Sequence, residues 1–258
     1  MEIVLTFDFN NLVSLAPILS VAAFYFLERL FSMSHSGFRR QGSFVMVYCI
    51  GFALSFGVST YLLVHFVMLM APLQIFSFAN WQVPMFVSFL ASLLFLDFIY
   101  YIGHRIHHSV PFLWRLHRLH HSDTDVSALT TIFHHPLEYL SNLAILIAAA
   151  VIFDVPVIAL VTYSLIHGLH TGFSHYKKPL PEALDKWLSY VVVTPSFHHV
   201  HHGLDMALGN SNFGAVLTLW DRLFRTAIVH RKKLIYGIPP AQAPSSESIR
   251  HYLSNPLK

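Results

Sequence analysis

Residues 97–122, DFIYYIGHRIHHSVPFLWRLHRLHHS, end an apolar run and carry two copies of the pattern His-x-x-His-His. A third copy lies further along the chain, at residues 198–202. With 19 histidines in 258 residues, one such pattern is expected by chance only about 0.1 times. Three copies therefore indicate a functional site built from histidines.

We call each copy of this pattern a histidine box. The spacing of the histidines within a box is typical of metal ligands on helices. Positions i, i+3 and i+4 lie on one face of a helix, where neutral imidazoles can converge on an ion. Nine or more ligands exceed what one tetrahedral zinc ion uses, so two ions are the economical count. All-imidazole sets suit Zn, Cu, Fe or Ni. At a membrane surface, a pair of ions with so many ligands favours dioxygen chemistry, and we predict two iron ions.

The composition predicts an integral membrane protein. Hydrophobic residues make up 55% of the chain and charged residues 11%, with a mean hydropathy of +0.55, whereas soluble domains carry about 25% charged residues. The net charge is only +3, and the aromatic residues sit in apolar runs, so nucleic acid is not an expected partner.

Four apolar runs are long enough to span a bilayer. The last is broken by Asp154 and Pro156, which favours a helical hairpin or two tilted spans. The runs cover Leu12–Phe31, Phe44–Leu73, Val83–Tyr101 and Leu137–Ile166. Every loop rich in Lys and Arg falls on one side if the N-terminus is outside, and that side is the cytoplasm by the positive-inside rule. All three boxes lie on the same side.

We therefore predict an all-α fold, a polytopic membrane helical bundle with a cytosolic histidine-rich helical cap. Residues 1–90 form N-terminal transmembrane helices, residues 91–236 a catalytic domain, and residues 237–258 an irregular tail within one structural unit. The first ten residues lack the basic start of a secretory signal. A short chain without a retention tail favours a bacterial inner membrane.

From about Asp97 to Thr226 the sequence resembles the fatty acid hydroxylase superfamily, also called the sterol desaturase family. The resemblance rests on both boxes of residues 97–122, on His135-Pro-Leu-Glu, on Thr194-Pro-Ser-Phe-His-His-Val-His-His, on Asn210-Ser-Asn-Phe-Gly and on Leu219-Trp-Asp-Arg-Leu-Phe. It implies a helical membrane fold with a non-haem di-metal centre. It also implies that fatty acyl chains, sterols or alkylglycerols are hydroxylated, desaturated or oxidised.

The resemblance implies one more metal ligand between the hairpin and the last box. His175 matches best, and His170 is a second candidate. The predicted metal ligands are His104, His108, His117, His120, His121, His175, His198, His201 and His202. All of these except His175 are also the predicted catalytic residues. The chain departs from the family pattern at Phe133, where many relatives carry Arg, at the extra histidines His107 and His199, and at Arg225, which replaces a frequent Gly.

Three further residues allow alternative interpretations. His107 either contacts a ligand histidine or faces solvent. His135 either binds a metal or hydrogen-bonds a ligand, because ligating histidines usually have an outer partner. For Asp97, a buried acid in a membrane segment, we favour a contact to a ligand histidine over a pairing with Arg.

Three other classes of protein compete with an oxygenase. A metal-binding membrane protein or transporter needs polar groups along its spans, whereas these histidines lie beside them. A haem cytochrome needs only a few axial histidines, and a zinc hydrolase needs a general base that no Glu beside the boxes supplies. Because no electron-transfer domain is recognisable, we expect a separate redox partner: cytochrome b5-like, a ferredoxin or a reductase. The lipid substrate is expected to come from the membrane, and hydroxylation and desaturation share their first step.

Overall fold

A computed structural model describes residues 19–30, 69–229 and 234–239. Within these ranges the chain is helical, with two isolated β-bridges and no β-strands. The main α-helices there are α1 (19–30), α2 (Met85–Ser109), α3 (Pro111–His121), α4 (Pro136–Ile152), α5 (Val157–Ser174), α6 (Glu182–Leu188), α7 (Pro195–His201), α8 (Met206–Gly209) and α9 (Leu219–Leu223). Two short 3-10 helices cover Ala71–Leu73 and Ala128–Ile132. Part of the first predicted span, most of the second and nearly all of the predicted tail lie outside the described residues.

The predicted third span is longer than its apolar run. Helix α2 continues from Met85 through the first histidine box to Ser109, so the apolar segment and the box form one continuous rod. It also runs without a break across residue 90, where the sequence suggested a segment boundary. Val110 is extended, and Pro111 opens α3 at its first turn, a position where a missing N–H costs no hydrogen bond. The chain therefore turns sharply and presents the second box beside the first.

The broken fourth run forms two helices, as the sequence predicted. Helix α4 ends at Ile152, and α5 begins at Val157. Asp154, between them, has a left-handed backbone with φ of 42°, and its carboxylate accepts a hydrogen bond of 2.6 Å from Ser77 Oγ. Helices α4 and α5 both pack against α2. The apolar core between them consists of Leu96, Leu146, Ala150, Val155, Ala159 and Tyr163.

Within the described residues, two helices, α2 and α5, are long and apolar enough to cross a membrane. Only 28% of the most apolar window of each is buried within the protein. Large apolar side chains on both helices are exposed, among them Met85 and Phe86 on α2 and Val157 and Ile158 on α5. Such an outward apolar surface is what contact with lipid requires.

Helix α1 is fixed to the histidine-bearing part of the chain by Glu28. Its side chain is fully buried, and Oε1 accepts hydrogen bonds from the backbone N–H groups of Ala128 (3.0 Å) and Lys177 (2.8 Å). Gly172 of α5 allows a close approach, since a Cβ there would lie 2.3 Å from Ser20 Oγ. The acid at the end of the first apolar run is thus a structural link between α1 and two loops.

The preferred interpretation of Asp97 is wrong. Its carboxylate contacts neither a ligand histidine nor an arginine. It accepts hydrogen bonds from the Tyr163 hydroxyl (2.7 Å), the Trp220 indole N–H (2.8 Å) and two backbone N–H groups, those of Val216 and Leu217. A buried carboxylate with four donors ties α2 to α5 and to the C-terminal segment.

We expect Arg225→Gly to stabilise the protein. Arg225 is exposed and has φ of 59°, a conformation that costs non-glycine residues about 1–2 kcal/mol. Replacement by glycine removes this strain. It also raises the conformational entropy of the unfolded chain, which offsets part of the gain, so the free energy of unfolding should rise by about 0.5–1 kcal/mol. Thermal unfolding in detergent measures the shift.

The matched control for this substitution is Arg222→Gly. Arg222 lies in α9, its guanidinium donates to Ser189 O at 2.8 Å, and it stacks on Tyr190 at 4.4 Å. This substitution is expected to lower the melting temperature. A lower melting temperature for Arg225→Gly would contradict the strain interpretation.

Candidate metal centre

The structure brings all nine predicted ligand histidines together in two groups. One ring nitrogen from each member lies within 4.8 Å of those of every other member of its group. The five-histidine group contains His104, His108, His117, His121 and His201. The four-histidine group contains His120, His175, His198 and His202.

Helix geometry explains how each box is divided. Positions i and i+4 lie nearly one above the other, whereas i+3 is rotated about 100° from i+4. In the second box, His117 and His121 join the five-histidine group, while His120, at i+3, reaches the four-histidine group. In the last box the roles are exchanged: His198 and His202 share the four-histidine group, and His201 reaches the other. The second and last boxes therefore each supply histidines to both groups.

Oxygen acceptors fix the orientation of six of the nine rings. A carbonyl or carboxylate oxygen can only accept, so the Nδ1 facing it carries the proton and Nε2 keeps its lone pair. The Nδ1–oxygen distances run from 2.6 to 3.1 Å. The pairs are His104 with Phe213 O, His108 with Asn210 Oδ1, His117 with Glu138 Oε1, His120 with Thr130 O, His175 with Thr171 O and His201 with Ser211 O.

This tautomer sets unprotonated nitrogens against one another in both groups. In the five-histidine group, His104 Nε2 and His117 Nε2 are 3.1 Å apart. In the four-histidine group, His120 Nε2 and His175 Nε2 are also 3.1 Å apart. Two lone pairs at this distance repel each other unless a cation lies between them. Nitrogens about 2.0–2.1 Å from one ion are separated by about 3.0–3.4 Å, so both pairs have the spacing of ligands that share a metal.

Two further nitrogens support the fit of a metal. His108 Nε2 and His201 Nε2 are buried, and neither has a hydrogen-bond partner in the part of the chain that the structure describes. Both rings belong to the five-histidine group, with centroids 4.7 Å apart. A buried polar atom without a partner is costly, and coordination of an ion would satisfy both.

Burial keeps the imidazoles neutral. Loss of contact with water lowers the pKa of His175 to about 3. The same cause, reinforced by neighbouring histidines, holds the pKa of five others well below the ordinary value: His120, His121, His198, His201 and His202. At neutral pH these rings keep the lone pair that a metal needs.

Glu138 is a site residue that the histidine pattern did not reveal. Its side chain is buried, and Oε1 accepts hydrogen bonds from His117 Nδ1 (2.6 Å) and His134 Nδ1 (2.9 Å). The His134 ring in turn stacks on His120, with centroids 4.1 Å apart. A single carboxylate thus orients one ring of the five-histidine group directly and one ring of the four-histidine group through His134. The motif His135-Pro-Leu-Glu ends on this residue, but only its histidine was a candidate on sequence grounds.

The remaining candidate histidines lie outside both groups. His107 is buried instead of facing solvent, and it bonds to Gly103 O and Ser141 Oγ at 2.8 Å each. His135 caps α4, with Nδ1 accepting from the N–H of Leu137. His170 packs against Phe173, and His199 Nδ1 lies 3.3 Å from the Tyr236 hydroxyl. Of the two candidates for the additional ligand, the structure places His175 with the other histidines.

Residues of the C-terminal segment hold the carbonyl oxygens that orient histidine rings of the site. Asp221 accepts hydrogen bonds from the N–H groups of Phe213 (2.8 Å) and Gly214 (2.7 Å), which fixes the loop whose carbonyl orients His104. Asn212, at φ of 54°, uses its amide to bond Phe197 O and the backbone of Ile228. The segment 210–221 therefore positions the first and last boxes relative to each other.

A cavity of about 390 Å³ opens beside the two groups. Histidines of both groups line it, and Ile132, Leu143 and Leu146 provide apolar wall. Its volume lies in the range of small-molecule sites. Residues of α2, α4 and α5 supply most of its lining.

Comparisons with known proteins identify the family of the chain. A family model described as fatty acid hydroxylase matches residues 89–226. The chain is 34% identical to an alkylglycerol monooxygenase of Caenorhabditis elegans over 61% of its own length and 30% of that protein. It is 27% identical to the ornithine lipid hydroxylase OlsE of Rhizobium tropici (56% and 43% covered), and 34% identical to a cholesterol 25-hydroxylase-like protein of Danio rerio (53% and 53% covered).

The matched region thus spans about a third to a half of the length of these relatives. No solved structure is significantly similar to the chain. The family model covers more than half of the chain, including all three histidine boxes and His175. The chain belongs to the fatty acid hydroxylase family.

Proposed function

We propose that this protein is a membrane-bound, non-haem di-iron oxygenase that hydroxylates a C–H bond of a lipid with dioxygen. The observation that carries the proposal is the pair of opposed Nε2 atoms in each histidine group, both 3.1 Å apart. Each group presents lone pairs to one point, which is the arrangement of a metal site. The family and its relatives, named as lipid hydroxylases and monooxygenases, support the same reaction class.

In this proposal each histidine group holds one iron ion, and the nine predicted histidines are the ligands. When bound, the iron pair supplies the redox chemistry that activates dioxygen towards an unactivated C–H bond. The chain's own residues keep the ligands neutral, fix the ring orientations through the Nδ1 hydrogen bonds and hold the lipid in the cavity. Glu138 takes part by accepting one hydrogen bond from the Nδ1–H of the proposed ligand His117 and another from His134, which stacks on His120.

The membrane arrangement that we propose follows the two apolar helices. Helix α2 carries His104 and His108 near its C-terminal end, His175 directly follows α5, and both helices have exposed apolar side chains. A multi-pass protein with residues 1–90 in the bilayer, the catalytic region at 91–236 and its histidine cap on the cytoplasmic side accounts for this polarity. The positive-inside rule supports the cytoplasmic placement, and we keep the bacterial inner membrane as part of the proposal.

The substrate and the electron donor are also proposals. The relatives' names point to ether lipids, ornithine lipids and sterols, and all of these are amphiphiles with a long apolar part. Because dioxygen must be reduced, a separate redox partner supplies electrons: a cytochrome b5-like protein, a ferredoxin or a reductase.

The test is turnover by the purified, iron-loaded protein in lipid nanodiscs. With a chemical reductant and ¹⁸O₂, we expect one labelled oxygen atom in a lipid product from the wild-type protein and none from His120→Ala. Equal product from both proteins would contradict the assignment. Metal flux in vesicles without oxygen consumption would favour a transporter instead.

A further inference from the structure

The five-histidine group approaches the outer surface of the protein at His108. All members of the four-histidine group are buried, whereas His104 and His108 of the five-histidine group are partly exposed. His104 lines the cavity, but His108 does not. The Nδ1 atom of His108 bonds instead to the side chain of Asn210, which is exposed. The group therefore faces the cavity on one side and a separate surface on another.

Trp114 of α3 belongs to this separate surface. Between ring centroids, its indole lies 4.9 Å from His108 and 5.5 Å from His121. The indole is partly exposed and does not line the cavity. Trp114 thus contacts two proposed ligands of the five-histidine group from outside the cavity. Because electron tunnelling through protein slows steeply with distance, a donor bound against this indole is well placed to pass electrons to the group.

Two arginines of α3 lie next to Trp114. Arg118 follows Trp114 by four residues and Arg115 precedes Arg118 by three, and residues at these spacings are neighbours on a helix surface. Arg115 is exposed. Burial and the charge of Arg115 lower the pKa of Arg118, although both guanidinium groups stay charged. The Nε atom of Arg118 is buried and has no hydrogen-bond partner among the described residues.

Arg105 of α2 adds a third positive charge near His108. Its guanidinium carbon lies 6.0 Å from the centre of the Phe213 ring, and that ring lies 5.1 Å from the His108 ring. None of the three arginines forms an ion pair with an acid in the described parts of the chain. A surface of one charge attracts partners of the opposite charge and speeds their encounter. The surface that we call the basic face comprises Arg105, His108, Trp114, Arg115 and Arg118.

The basic face lies at the polar end of α2. His108 is in the last turn of this helix, whereas Met85 and Phe86, in its first turn, are exposed and apolar. A helix of this length spans about 37 Å, more than the hydrocarbon core of about 30 Å. With its apolar start in the bilayer, α2 holds the basic face where a protein outside the membrane can reach it. Anionic lipid headgroups also attract arginines, but they carry no electrons to the histidines that Trp114 contacts.

We propose that the basic face binds an electron-transfer protein with an acidic surface, and that electrons enter the five-histidine group there. This inference rests on the proposed function and assigns the surface for its redox partner. Hydroxylation of one C–H bond with dioxygen takes up two electrons and two protons and releases one water molecule beside the alcohol. Two molecules of a one-electron donor, such as a reduced ferredoxin, are therefore oxidised for each lipid hydroxylated. A lipid in the cavity does not compete with the donor, because the two occupy different surfaces.

The first measurement is binding without turnover. Iron-loaded protein in nanodiscs of zwitterionic phosphatidylcholine is titrated with an oxidised plant-type [2Fe–2S] ferredoxin, which is acidic, and with cytochrome c, a basic electron carrier. We expect saturable binding of the ferredoxin only, and weaker binding at higher ionic strength because salt screens the charges. Replacing both Arg115 and Arg118 by glutamine should weaken ferredoxin binding about three- to thirtyfold.

Lys186→Gln is the matched control for the single variant Arg115→Gln, because both residues are exposed and Lys186 lies on α6, outside the basic face. Lys186→Gln should bind ferredoxin as the wild type does, and Arg115→Gln about 1.5- to fivefold more weakly. Equal binding by the wild type and the double variant, an equal loss in Lys186→Gln and Arg115→Gln, or a wild type that binds cytochrome c better or neither protein would overturn the inference. An effect of the arginines confined to nanodiscs of anionic lipid would also overturn it, since the membrane surface would then be their partner.

The second measurement is electron transfer under argon, without lipid. Reduced ferredoxin is mixed with protein that carries ferric iron, and its oxidation is followed by absorbance. At ferredoxin concentrations below saturation, the double variant should slow this reaction by the same factor as it weakens binding, with iron content checked on the same samples. Arginine-dependent binding and electron transfer in a protein that never oxidises lipid would contradict the proposed function alone. Lipid oxidation with a chemical reductant, together with ferredoxin binding that does not depend on the arginines, would overturn the inference alone.

Discussion

His175→Ala is expected to lose one metal ion and at least about 100-fold of the lipid oxidation rate, because even residues that only orient ligands change affinity or activity about 10–100-fold. His175 lies just after α5, and its Nε2 is 3.1 Å from His120 Nε2 and 3.0 Å from His198 Nε2. Removing it leaves the four-histidine group with three ligands. Iron content and product formation are measured on the same preparation.

His170→Ala is the matched control for this variant. His170 is five residues away, within α5, was the alternative ligand on sequence grounds, and lies outside both histidine groups. It should keep both iron ions and oxidise lipid within about twofold of the wild-type rate. A loss of iron from His170→Ala with none from His175→Ala would reverse the assignment of the ninth ligand.

Glu138→Gln is expected to lower iron affinity or lipid oxidation about 10–100-fold without unfolding the protein. The carboxylate oxygen accepts from two histidine Nδ1 atoms at 2.6 and 2.9 Å. A glutamine keeps the shape but removes the charge, which weakens both hydrogen bonds and the basicity of His117 as a ligand. The rate at which a chelator extracts iron should rise accordingly.

The control for Glu138→Gln is Glu182→Gln. Glu182 is an exposed acid in the first turn of α6, so the substitution removes the same charge away from the site. Its iron release should match the wild type. If both variants released iron equally fast, the effect would come from overall charge and not from the hydrogen bonds to His117 and His134.

The local pattern was enough to predict the histidine helices. The spacing His-x-x-His-His fixes which side chains share a helix face, and apolar runs broken by Asp154 and Pro156 fix where α4 and α5 meet. The departure at Arg225 also has a structural counterpart. The glycine that is frequent in the family at this position corresponds to a residue whose backbone is left-handed, with φ of 59°. These features depend on neighbours in the chain, which a single sequence displays.

The hydrogen-bond partners of the predicted ligands depend on contacts distant in sequence and could not be predicted. The carbonyl oxygen of Phe213, more than 100 residues from His104 in the sequence, orients the His104 ring. Because every residue has a backbone carbonyl, the sequence does not reveal which one makes this contact. Asp97 was misread for the same reason, because its four donors come from α5 and from residues 216–220. The division of the second and last boxes between two groups likewise needs the relative placement of three helices.

The iron-to-chain ratio of the purified protein tests most directly whether two histidine groups hold two ions. We predict two iron ions per chain in the wild type and one when either His104 and His117 or His120 and His175 are replaced by alanine. With all four replaced, no iron should remain. A wild-type preparation that oxidises lipid with no bound metal, or a ratio that the four substitutions leave unchanged, would contradict the account.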